Sequence, residues 1–345
     1  MATIRDVAKH AKVSVATVSR VINANGKVSD KTSRRVKRSI DTLGFTPDFL
    51  ARSWRTRTTH TIAAVVSDNT APHHGISLRE ASIVALSRNY SLILCTSFFD
   101  AEIEQQHLRM LRERRVDGVL LNAIDKSDSE IRALAESGIP VVLMNRPLKN
   151  HGPLVDAVVV DSYRGSREMV EHLIRVGHRQ IAMLYDETLH DYHKRERIRG
   201  YKDALRANKL PYDENLVRMV KLNSQGNIQL SVQQLAFSPR PTALYAASYG
   251  VGLATIAALR AQGLRVPNDI AFAMFDDVTW GEFIDPPLTV VQTPAQELGR
   301  QMMELLFARI ADHDRPPQEI VLQPSLIVRR SCGWPGLANL SNQIH

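Results

Sequence analysis

The chain has 345 residues, more than one hydrophobic core usually covers, and its 44% hydrophobic and 23% charged residues exclude long disorder, collagen and extended coiled coil. No apolar run approaches the roughly 18 residues of a membrane span, and the start MATIRDVAKHAKV lacks an apolar signal core, so a cytoplasmic protein with no membrane partner is expected. The charge of +8 is unevenly placed: residues 1–60 hold 13 Lys and Arg against 4 Asp, while the remainder nets −1, and so dense a cationic segment points to nucleic-acid phosphates.

Within that segment three side chains able to satisfy first-turn amides open three short predicted helices. Thr3, with Asp6 three residues on, starts the first, about residues 4–11, in which Val7, Ala8 and Ala11 recur at helical spacing. Ser14 opens VATVSRVIN, where Val18, Val21 and Ile22 form one apolar stripe and Val15, Ala16, Ser19, Arg20 and Asn23 face elsewhere. This helix ends in Asn23-Ala24-Asn25-Gly26. Ser29 starts the third, which buries Val36, Ile40 and Leu43 and stops near Gly44. Two short helices joined by a tight turn and completed by a third make a helix-turn-helix unit, whose second helix enters a major groove. A trihelical protein-binding module has the same pattern, but the charge of the segment argues against it.

Thr46-Pro47 breaks the head from DFLARSWRT, where Asp48 caps a short predicted helix of Phe49 to Arg55. From His60 the pattern becomes apolar strands alternating with helical stretches. IAAVV at 62, SLILC at 91, DGVLL at 117, PVVLM at 140, DAVVV at 156, QIAMLY at 180, ALYAA at 243 and IAFAMF at 270 read as strands buried on both faces. Helical periodicity starts near 163, 195, 225, 250 and 295. This is doubly wound α/β, too long for one sheet, and two such sheets bind ligands at their strand carboxyl ends.

TIRDVAKHAKVSVATVSRVIN, VSDKTSRRV and LGFTPDFLARS resemble the LacI family of bacterial regulators, the family of the lactose and purine repressors, and the resemblance continues to about residue 332. It implies an all-α helix-turn-helix head followed by an α/β periplasmic-binding-protein-like sensor with two doubly wound parallel-sheet subdomains. The implied division is 1–46 for the head, 47–60 for a hinge helix and linker, 61–160 plus 291–322 and 161–290 plus 323–333 for the two sensor subdomains, and 334–345 for a tail. Chain crossovers are expected near 160, 290 and 322.

By the same resemblance Val15, Ala16 and Arg20 read base edges, while Thr3, Ser14, Thr17, Ser19 and Asn23 hold phosphates. The chemistry agrees, since Arg20 forks to a guanine and Ala16 or Val15 touches a thymine methyl. Leu50, Arg52, Ser53, Trp54 and Arg55 form the implied hinge contacts, with Trp54 standing where the family has a wedging leucine; its other role is to pack hinge against sensor. The effector candidates are His73, His74, Asp191, Arg197, Tyr249, Asp276 and Trp280. Asp276 and Arg197 match the family's effector-holding positions, and Trp280 offers a stacking face or a core indole. His73 and His74 replace an aromatic pair, and Ser248-Tyr249 replaces the usual Asn-Asp, so effector identity does not carry over.

The expected function is a sequence-specific transcription regulator, a repressor in its commoner form. It binds double-stranded, near-palindromic operator DNA as a homodimer under control of a small-molecule effector, a sugar or sugar acid. A nucleoside or purine effector and a ligand-independent DNA binder are the open alternatives. Enzymatic chemistry is not expected: YGVGLAT lacks the third glycine of a dinucleotide turn, and no GxSxG, HExxH or phosphate loop occurs. No cofactor or metal is expected, His172 and His178 lacking zinc-ligand spacing, and Cys95 and Cys332 read as buried thiols. Leu337, Leu340 and Ile344 have coiled-coil-like spacing in a segment too short for a stable helix, so a dimer rather than a tetramer is expected.

Overall fold

A computed structural model describes residues 2–22, 27–45, 58–67, 70–124, 128–147, 154–186, 191–221 and 240–333. The chain divides into two compact units, Met1–Thr59 and His60–His345.

The first unit holds three helices, α1 (Ile4–His10), α2 (Val15–Ile22) and α3 (Asp30–Leu43). Thr3 and Asp6 form a reciprocal capping box, in which the Asp6 amide donates to Thr3 Oγ1 at 3.3 Å and the Thr3 amide to Asp6 Oδ2 at 2.8 Å. The Thr3 hydroxyl, donating to Asp6 Oδ2 at 2.7 Å, and the Thr3 amide hold the Asp6 carboxyl below its ordinary pKa. Ser14 caps α2 through the Thr17 amide at 3.1 Å, and Gly44, at φ 57°, ends α3 in the left-handed region that glycine adopts without strain. Val7, Ala8, Ala11, Val18 and Val36 are the buried centre, with Ile4, Val21, Ile22, Ile40 and Leu43 packed around them. His10 Nδ1 and Ser39 Oγ, 3.0 Å apart, tie α1 to α3. Asn23, which ends the predicted second helix, lies outside the described residues.

In the second unit the described strands form two six-stranded sheets. The first contains β1 (Thr61–Val66), β2 (Ser91–Thr96), β3 (Gly118–Leu121), β4 (Val141–Met144), β5 (Val155–Val160) and β11 (Glu319–Leu322), in the order β11-β5-β4-β3-β1-β2 with every neighbour parallel. The second contains β6 (Ile181–Asp186), β7 (Val217–Val220), β8 (Ala243–Ala246), β9 (Ala271–Phe275), β10 (Thr289–Gln292) and β12 (Ser325–Ile327), in the order β12-β10-β9-β8-β6-β7.

Helices cover both faces of each sheet. On the first, Ala63, Val65, Val119, Leu121 and Val141 face α5 (Ala101–Glu113) and α6 (Asp128–Glu136), while their strand neighbours Ile62, Ala64, Leu120 and Val142 face α4 (Pro72–Ser87) and α10 (Ala295–Ala311). The second sheet is covered by α7 (Ser162–Val176) and α8 (Asp191–Ala207) on one side and α9 (Tyr249–Ala261) on the other. The helix expected near 225 lies outside the described residues.

Strand β12 departs from the all-parallel expectation, for it pairs antiparallel with β10. The carboxyl ends of the two sheets face one another, and β11 and β12 are separated by only two residues. A chain running straight on from the first sheet therefore enters the second against the direction of its strands. Strands β7, β10, β11 and β12 were not anticipated from sequence. Three are sheet edges, and half-exposed stretches such as EIVL and SLI carry no continuous apolar run.

The return of the chain from the second sheet to the first is fastened by a buried ion pair. Arg309 on α10 donates through Nε at 3.1 Å and Nη2 at 2.9 Å to Asp156 on β5, and the Gln318 amide adds a bond at 2.7 Å. Both side chains are fully buried, so the bidentate geometry and the further bonds of Arg309 to the carbonyls of His313, Arg315 and Pro316 offset their desolvation.

Candidate functional site

One face of α2 is exposed. At about 100° per residue, Val15, Ser19, Ala16 and Arg20 fall within one arc of α2, with Val18 and Val21 on the far side. Val15, Ala16 and Arg20 are exposed, Ser19 and Thr17 partly so. The Arg20 guanidinium makes no hydrogen bond or ion pair among the described residues and so stands ready for an outside acceptor. Thr3 and Ser14 have their hydroxyls at the amino ends of α1 and α2, where free amides and the helix dipole favour an anion. Leu50, Arg52, Ser53, Trp54 and Arg55 lie outside the described residues.

The second constellation sits where the carboxyl ends of the two sheets meet. Asp276 is the residue after β9, held at φ 72° and buried, its amide bonded to Val291 and its Oδ1 accepting from Thr293 Oγ1 at 2.8 Å. A non-glycine residue in the left-handed region is a local strain of the kind found at binding sites. His73, in the first turn of α4, brings Nδ1 to 3.7 Å from Asp276 Oδ1 across the cleft, and His74 packs edge-on to His73 with ring centroids 4.3 Å apart. Burial opposes ionisation of Asp276. His73, Arg197, the Thr293 bond and His74 outweigh it and hold the carboxyl below its ordinary range.

Arg197, on α8, is buried with its guanidinium carbon 3.5 Å from the centroid of the Phe275 ring. Its Nε donates to Ser162 Oγ at 3.3 Å and its Nη1 to the Ala247 carbonyl. Ser162 Oγ also meets His193 Nδ1 at 2.7 Å. Burial lowers the Arg197 pKa, while Asp276, Tyr245 and Asp186 favour the charged form. Among the described residues Arg197 Nη2 and Asp276 Oδ2 carry no hydrogen bond, and the Arg197 charge acts on Asp276 with no ion pair between them. An unspent donor and acceptor of this kind recognise vicinal hydroxyls.

The structure thus gathers His73, His74, Asp276 and Arg197 into one cluster. Tyr249 and Trp280 instead pack against the core cluster of Val251, Phe272, Val278 and Leu288. That cluster covers the face of the second sheet opposite to Phe275. Asp191 is the first residue of α8, and its side chain lies outside the described ones. Sequence reasoning missed Ser162, His193, Asp186, Phe275 and Thr293. Asp186, Phe275 and Thr293 end or follow strands and were open to discovery by that rule; Ser162 and His193, in the first turns of α7 and α8, carry no sequence signal.

A helix-turn-helix head in one chain with a two-lobed, periplasmic-binding-protein-like body defines a DNA-binding transcription regulator. Residues 3–48 match the model for bacterial regulatory proteins of the lacI family, and residues 170–332 match the periplasmic binding protein-like domain. The chain is 36% identical to the HTH-type transcriptional regulator CelR of Thermobifida fusca, over 95% of this chain and 98% of that one. It is 30% identical to the HTH-type transcriptional repressor PurR of Photobacterium profundum, over 96% and 98%. Among solved structures, a CelR–cellobiose complex matches with a TM-score of 0.70 at 34% identity, covering 96% of this chain and 100% of that one. The chain belongs to the LacI family, and its relatives are transcriptional regulators rather than enzymes.

Proposed function

We propose that this regulator represses transcription as a homodimer on a near-palindromic operator, and that a sugar or sugar acid in the sensor cleft controls its grip. The observation that carries the effector reading is the Arg197–Asp276 pair, a buried donor and acceptor with unspent bonds between two lobes. The complex of the relative CelR with cellobiose supports the carbohydrate class. Base reading falls to Val15, Ala16 and Arg20. Phosphate contacts fall to Thr3, Ser14, Thr17, Ser19 and Asn23, and the hinge contacts to Leu50, Arg52, Ser53, Trp54 and Arg55. His73, His74 and Asp191 are assigned to the effector, whereas Tyr249 and Trp280 belong to the apolar cluster of the second sheet.

The division into head, hinge, two sensor subdomains and tail follows the boundaries expected above, supported by β1–β5 and β11 sharing one sheet and β6–β10 and β12 the other. Dimerisation is supported by exposed apolar side chains on α4 and on edge strand β2: Ile83, Leu86 and Leu94, with Phe98 and Phe99 just beyond the strand. A protein acting on an operator works in the cytoplasm.

A thermal-shift screen of sugars, sugar acids and nucleosides tests the effector class. Binding at 100 times Kd stabilises by about 2.7 kcal/mol, an easily read rise in melting temperature. Asp276→Asn, which tolerates the left-handed backbone but removes the charge, should abolish that rise while operator binding without ligand persists. A rise confined to nucleosides would replace the carbohydrate reading, and no rise with any of them would favour a ligand-independent DNA binder.

A further inference from the structure

We propose that the second lobe holds a separate site for a small apolar molecule bearing one carboxylate, at the end of its sheet remote from the effector cleft. A cavity of about 620 Å³ opens there, within the usual range for small-molecule sites. Its floor is apolar: Leu259 near the end of α9, Phe272 at the start of β9, Ile284, and Leu288 just before β10. Two guanidiniums, Arg260 and Arg330, stand at the lining.

The arginines give the site its ligand class. Arg260 is exposed in the last turn of α9 and has no hydrogen bond or ion pair among the described residues. Arg330 Nη2 meets Asp285 Oδ1 at 2.9 Å, but both side chains are largely solvent-exposed, and such a pair exchanges one carboxylate for another at little cost. The third arginine of the lining, Arg265, is already held through Nε and Nη2 by Asp269 and is not available. An apolar floor with two receptive cations suits an acyl or aryl carboxylate. A neutral sugar would leave the cations unused and its own hydroxyls against carbon.

Phe272 and Asp276 lie on the same strand run, four residues apart, so at ~3.3 Å per residue the cavity and the cleft are separated by about 13 Å of sheet. A ligand in the cavity therefore touches the strand that presents Phe275 and Asp276, without entering the cleft.

Titration calorimetry of the full chain with octanoate, and with octan-1-ol as the neutral counterpart, tests this. Octanoate should bind saturably at one site per chain and octan-1-ol at least about tenfold more weakly. Replacing both cations, Arg260→Ala with Arg330→Ala, should weaken octanoate by about tenfold or more. Ile256→Trp, which fills the mouth from a half-buried lining position, should remove binding, and Asp276→Asn should leave it unchanged. The proposal falls if no saturable binding occurs by about 10 mM. It falls equally if octan-1-ol binds as well as octanoate, if both cavity variants keep full affinity, or if Asp276→Asn abolishes binding.

Discussion

Arg20 and Arg197 are the same side chain used in opposite environments. Arg20 is exposed and unpartnered among the described residues on α2, so its five donors are spent only on an outside partner. Arg197 is buried, stacked on Phe275 and bonded to Ser162 and Ala247, so its position is set before any ligand arrives. Removing the first should cost a base contact and nothing else: Arg20→Ala is expected to lose roughly 1 to 3 kcal/mol of operator affinity and to relax preference at one base position. Operator selection followed by gel shift measures this, and an unchanged preference would remove Arg20 from the reading face.

At the scale of elements, close helix contacts depend on single small residues. Helices α4 and α10 meet at Gly299, where an added Cβ would lie 2.1 Å from the Ser77 carbonyl oxygen, and Ser77 Oγ donates to the Ala295 carbonyl at 2.9 Å at the same contact. Alanine usually improves a helix by up to about 1 kcal/mol over glycine. Here the obstacle is backbone, which yields only if the helices separate, so the clash wins and Gly299→Ala should destabilise by about 1 to 3 kcal/mol in denaturant titration.

A second contact between elements carries a pH dependence. His172 on α7 is buried with Nε2 3.3 Å from Cys332 Sγ, and its pKa is pushed down to about 4 by burial, aided by Arg175 and His178. The unfolded chain then binds the proton that the folded chain refuses between pH 6.5 and about 4, so stability should fall as pH falls through that window. His172→Gln should flatten the fall in unfolding free energy across that window, read by denaturant titration at each pH, by an amount on the order of 2 kcal/mol. An identical pH profile in the variant would assign the loss to other groups.

For the whole molecule, the proposed division gives the charged head to the operator and the apolar edge to the partner chain. Operator binding in duplicate requires two chains, because a single head offers too small an interface for ordinary specific affinity. Leu86 is 74% exposed on α4, one turn from the exposed Ile83. Leu86→Glu should leave the fold intact, shift the protein to monomer in analytical ultracentrifugation and lower operator affinity by about tenfold or more. A dimer that persists with full affinity would move the interface elsewhere.

By itself the amino-acid sequence determined the three-helix head. Caps, short-range apolar spacing and local charge are encoded within a few residues of where they act, and Thr3, Ser14, Ser29 and Gly44 do in the fold what their types suggest. It also determined the two-sheet α/β body, because strands buried on both faces leave unbroken apolar runs, and Asp276 was legible as a strand end. Only the tertiary structure decided that His73 and Asp276, 203 positions apart in the chain, lie within 3.7 Å, that Arg197 rests on Phe275, and that β12 runs against its sheet. It likewise placed Trp280 and Tyr249 in the apolar cluster behind the second sheet. Those outcomes depend on how two sheets face one another, a relation between distant segments that no local pattern of side chains records.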